Sequence, residues 1–87
     1  MSIEEVAQFM LSLLQRHGEL LQEYAGIEIE NRFGNQFARL NEIGQMVIDT
    51  EVLAAFRKLS GDNVVWSSGL RLWRFRDQLD EPDYQSL

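Results

Sequence analysis

Six glycines stand singly at positions 18, 26, 34, 44, 61 and 69, and they cut the chain into short segments. Most fall at segment ends and turns, where a backbone free to take positive φ is useful. Segments this short are marginal alone: a short helix frays in water, and so does a lone two-stranded hairpin. The fold must therefore be an alternation of small elements that stabilise one another. With 87 residues there is room for a single domain, 1–87. A β/α barrel or a two-halved dinucleotide-binding fold does not fit.

The first segment is the clearest. Ser2-Ile3-Glu4-Glu5 has the form of a capping box, a hydroxyl followed three residues on by a carboxylate. Ile3, Val6, Ala7, Met10, Leu13 and Leu14 then recur at helical steps, Phe9 widens the stripe, and His17-Gly18 closes it. The spacing predicts a helix over 2–17. Leu20, Leu21, Tyr24, Ile27 and Phe33 keep a rougher helical period up to Gly34, interrupted by Gly26. Residues 37–40 and 45–48 read as two short strands around Asn41-Glu42-Ile43-Gly44, a hairpin over about 37–48. Asp49 or Thr50 caps a further helix whose buried face is Val52, Leu53, Phe56 and Leu59.

Residues 64–76 admit two readings. As a helix, Trp66, Leu70 and Trp73 share a face. As a hairpin, Val64–Ser67 turns at Ser68-Gly69 into Leu70–Arg76. The balance falls narrowly to the helix. The fold class is α+β, mainly helical, with three or four helices and one short hairpin, 64–76 adding a helix or a second hairpin. The first helix is expected to pack on Phe56 and Trp73. Residues 78–87 read as a loosely ordered tail.

Eight basic against fourteen acidic groups give −6. The charge is segregated. Residues 1–56 carry three basic and nine acidic groups, 57–76 carry five basic groups against Asp62, and 77–87 carry four acids alone. The acidic total makes nucleic acid an unlikely partner, since affinity there rests on basic side chains neutralising phosphates. The absence of cysteine removes disulfides, thiolate metal sites and thiol nucleophiles, and fits a reducing cytoplasm. The N-terminal Met1–Glu5 is acidic where a secretion signal is basic, and no apolar run is long enough to span a bilayer.

Catalytic chemistry is poorly supplied. His17 is the one histidine, at a helix end where a cation suits the dipole. No glycine loop cradles phosphate, no calcium loop is present, and Glu28 and Glu30, two apart on a helix, do not pair. The expectation is a non-enzyme with no metal, no cofactor and no catalytic residue.

The most unusual composition lies in Trp66, Arg71, Trp73, Arg74, Phe75 and Arg76. One reading makes the tryptophans core anchors with arginines reaching past them to solvent. Another makes the six residues an interaction surface, because interface centres favour aromatics and arginine. A third groups Arg57, Lys58, Arg71, Arg74 and Arg76 as an anion or nucleic-acid patch.

The order of Phe33-Gly34, Phe37, Asn41-Glu42, Gly44, Ile48-Asp49, Val52-Leu53, Phe56-Arg57-Lys58-Leu59, Gly61-Asp62, Val64-Val65-Trp66, Arg71, Trp73-Arg74, Arg76, Asp80 and Pro82 resembles a family of small uncharacterised bacterial proteins, some carried on integron gene cassettes. The resemblance spans nearly the whole chain. It implies a bacterial, cytoplasmic, often oligomeric protein and carries no catalytic residue. This chain departs from it at Ser67–Leu72, which is more apolar than the charged stretch expected there.

Three functions remain. The first is an interaction module that self-associates, a dimer being favoured, with a further protein partner allowed. Small size motivates it, since a chain this short hides only about 60–65 per cent of its unfolded surface. The second is a winged-helix-like DNA-binding regulator using the basic residues of 57–76. The third is a small-molecule binder with an aromatic pocket.

Overall fold

The capped stripe at the N-terminus forms α1, Ile3–His17, in a computed structural model that describes residues 2–76. Ser2 Oγ accepts the Glu5 N–H at 3.2 Å and Glu5 Oε1 accepts the Ser2 N–H at 3.1 Å, so the capping box is closed. Gly18, at φ 82°, ends the helix by donating its N–H to Leu14 O. Val6, Ala7, Met10, Leu13 and Leu14 are all buried.

Leu20 and Leu21 leave the helical reading. Glu19–Leu21 is a short strand, β1, and the second helix, α2, begins only at Gln22 and runs to Phe33. A three-residue strand shows no period of its own. Its evidence is non-local: Glu19, Leu20 and Leu21 pair antiparallel with Arg74, Trp73 and Leu72. Leu20 points into the core and Leu21 away from it, at 1% and 48% exposure.

The hairpin expected over 37–48 is present as β2, Ala38–Leu40, and β3, Met46–Ile48. Asn41 Oδ1 ties its loop by accepting the N–H groups of Ile43 and Gln45. The hairpin packs on α2, where Gly26 lies directly against Met46. Asp49 caps α3, Thr50–Ser60, by accepting the Glu51 N–H at 2.8 Å. Val52 and Phe56 are buried as expected. Leu53 is only partly covered, and Leu59, expected inside, is 45% exposed because it sits off the side of α3 that meets α1.

After a 3-10 turn at Gly61–Asn63, the ambiguous segment is a hairpin and not a helix: β4, Val64–Ser67, and β5, Leu72–Phe75. The deciding partner is β1, since β5 lies between β1 and β4 in a three-stranded sheet. A helix over 64–76 would leave β1 unpaired. The fold class is thus α+β, with three α-helices and two small antiparallel sheets among the described residues. The element order is α1-β1-α2-β2-β3-α3-β4-β5, with β2–β3 as a separate hairpin inserted between α2 and α3 and β1-β5-β4 as the strand order of the larger sheet.

One core joins these elements. α1 packs on α3, and Met10, Leu14, Leu20, Phe56, Val64 and Trp73 belong to a single buried cluster. The head of α2 stitches the remainder. Ladder bonds on β2–β3 fall at Phe37–Asp49 and Asn41–Gln45, so by alternation the Met46 backbone faces the open side of β3. There Glu23 Oε2 accepts the Met46 N–H at 3.0 Å and Gln22 Nε2 donates to Met46 O at 3.1 Å. Glu23 Oε1 also meets Arg71 Nη2 at 3.1 Å, and Gln22 N–H bonds Arg71 O. Two residues therefore join α2, the inserted hairpin and the β4–β5 turn. The tail expected over 78–87 lies outside the described residues.

Candidate functional site

The tryptophans of the aromatic–arginine segment go to the inside. Trp73 is 3% exposed, with the Phe56 ring edge-on at 5.4 Å and the half-buried Trp66 ring tilted against it at 4.7 Å. The Trp73 Nε1 is buried with no hydrogen-bond partner among the described residues. Phe75 keeps 39% of its surface exposed. So the anchor reading describes the tryptophans, and Phe75 is the aromatic of the three that a partner can reach most freely.

The arginines are engaged within the protomer. Arg71, in the turn at φ 55°, pairs with Glu23. Arg74 Nη1 donates to Phe75 O at 3.2 Å, and Arg76 Nε donates to Asp62 O at 2.6 Å. Arg57 and Lys58 stand on α3 instead. The five basic residues are thus spread over a helix, a turn and a strand end.

A more coherent surface lies where α1 meets α3. A trough of about 750 Å³ has an apolar floor of Ile3, Ala54, Ala55 and Leu59. Two acids, Glu4 and Glu51, and two bases, Arg57 and Lys58, complete the lining. Helical geometry explains the lining: 51, 54, 55 and 58 follow i, i+3, i+4, i+7 and share a side of α3. Val52, Phe56 and Ser60 take the buried side, so the trough side is left outward. Among the described residues, Glu4, Glu51, Arg57 and Lys58 make no ion pair within the chain. Sequence reasoning found Arg57 and Lys58 but missed the rest. The signal was there in the heptad spacing of Glu51 and Lys58 around two alanines.

A second apolar strip was also missed. Leu21, Tyr24 and Ile27 recur every three residues from β1 along α2, at 48%, 39% and 47% exposure. His17 borders the strip, its ring edge-on to Tyr24 at 5.8 Å, and the Tyr24 hydroxyl donates to Glu28 Oε1 at 3.4 Å.

Among the described residues no group of three or more His, Asp or Glu side chains is placed to hold a metal ion. No helix among them is long and apolar enough to cross a membrane. A family model described as "Family of unknown function (DUF6953)" matches residues 2–75. No curated protein and no solved structure matches the chain.

Proposed function

We propose that this chain, which belongs to the DUF6953 family of unknown function, is a small interaction module that associates with itself. The observation that carries the reading is the α1–α3 trough, an apolar concavity whose charged lining residues make no ion pair among the described residues. Burying such a floor against a second copy removes about 25 cal/mol of unfavourable hydration per Å² of apolar surface covered. A two-fold dimer is the simplest closed assembly that does so. Leu21, Tyr24, Ile27 and Phe75 leave further apolar surface for a different protein partner. The reading asks for no catalytic group and no cofactor. A chain without cysteine suits a reducing bacterial cytoplasm, and the resemblance to integron cassette proteins points the same way. Sedimentation velocity from low micromolar to near-millimolar protein tests the proposal. A concentration-dependent dimer is expected, and a strict monomer throughout overturns it.

The element order favours a second reading, a winged-helix-like DNA-binding regulator that would present α3 and the β4–β5 turn. Against it, residues 2–76 carry ten acidic groups to eight basic ones, and Arg71 is held by Glu23. Fluorescence anisotropy with a random duplex at low salt decides it, because phosphate contacts strengthen as salt falls. No binding under those conditions removes it.

A further inference from the structure

The charge order along the trough has a symmetry that fixes how two copies would meet. On α3 the acidic Glu51 and the basic Lys58 lie seven residues apart, two turns or about 10.5 Å along the axis. Ala54 and Ala55 lie midway between them, and both line the trough floor. A two-fold axis through that midpoint, running two α3 helices antiparallel, sets Glu51 of each copy opposite Lys58 of the other. The small alanines at the centre let the helix axes approach to about 8 Å, the close end of the usual packing range. Antiparallel helices also bring opposite dipole ends together. Ile3 and Leu59, the other apolar residues lining the trough, are then covered by the second copy.

Resting on the self-association reading, we infer that the occupant of the trough is a second copy of this chain, docked through antiparallel α3 helices with two reciprocal Glu51–Lys58 pairs. The parallel arrangement opposes like charges at both positions and is disfavoured. The reciprocity matters because each pair appears twice in an isologous contact, so one substitution acts at two places.

The test uses two variants of the full chain, Glu51→Lys and Lys58→Glu, each checked for native helicity by circular dichroism. Either alone places like charges opposite each other at both positions. Each is expected to weaken the homodimer about tenfold or more. Mixed together, the two variants oppose unlike charges at both positions, so a heterodimer of wild-type affinity is expected in sedimentation equilibrium. Two outcomes overturn the inference in different ways. A wild-type dimer whose affinity neither variant changes, or whose variants fail to recover on mixing, rejects the antiparallel α3 contact and leaves self-association standing. A wild-type chain that stays monomeric rejects both.

Discussion

Gly26 has no room for a side chain. A Cβ built on it lies 2.6 Å from Met46 Cβ, the root of a side chain that cannot swing aside. Alanine is the better helix former by about 1 kcal/mol, yet the overlap is expected to outweigh that gain. Gly26→Ala should lower stability by about 1–3 kcal/mol, read as a lower urea midpoint at unchanged slope. The sequence marks this glycine as an interruption of a helix. Its reason lies twenty positions away in Met46, which no local pattern reveals. Trp73 poses the opposite case. Its ring is enclosed, but its N–H is left without a partner, a cost of about 1–3 kcal/mol. Trp73→Phe gives up part of a ring and also removes that orphan donor. Its net cost should stay below about 1.5 kcal/mol, whereas Phe56→Ala, which empties a fully buried site, should cost about 3–5 kcal/mol. Chemical denaturation of the two variants side by side checks the contrast.

Among the elements, those with local signals were legible. α1 carries its capping box and stripe, α3 its aspartate cap, and β2–β3 its Asn/Gly loop. The elements defined by distant partners were not. β1 looks like the start of the second helix until β5 is placed beside it, and 64–76 remains ambiguous until β1 is available to pair. The same limit hid Glu23, an exposed-looking acid in a helical first turn that turns out to bond the Met46 N–H and Arg71 together. The two bonds differ in weight. The Glu23–Arg71 pair is 35–44% exposed, so solvent screens it and it is worth about 0–1 kcal/mol. The Met46 N–H is part-buried, and among the described residues the Glu23 carboxylate is its acceptor, while Gln22 serves only the Met46 carbonyl. Glu23→Ala should therefore cost about 1–3 kcal/mol and Arg71→Ala less than about 1 kcal/mol. Amide exchange at Met46 should accelerate strongly in the first variant and little in the second.

For the molecule as a whole, charge segregation read from sequence has a spatial meaning that the sequence did not disclose. The basic run of 57–76 divides between α3, where Arg57 and Lys58 line the trough, and the second hairpin, where Arg71 is bonded inward. If the trough closes on a second copy through opposed charges, the dimer dissociation constant should rise with ionic strength, since the Debye length shrinks from about 10 Å at 0.1 M to about 3 Å at 1 M. Light scattering across a sodium chloride series reads this directly, and an affinity indifferent to salt would assign association to apolar burial alone. The placement of β5 has another consequence, for synthesis. Both other strands of its sheet come earlier in the chain and have nothing to bind until residues 72–75 arrive. A ribosome making this protein therefore carries a nascent chain whose helices can condense early, while Leu20, Val64 and the indole of Trp66 wait uncovered for β5 to clear the exit tunnel.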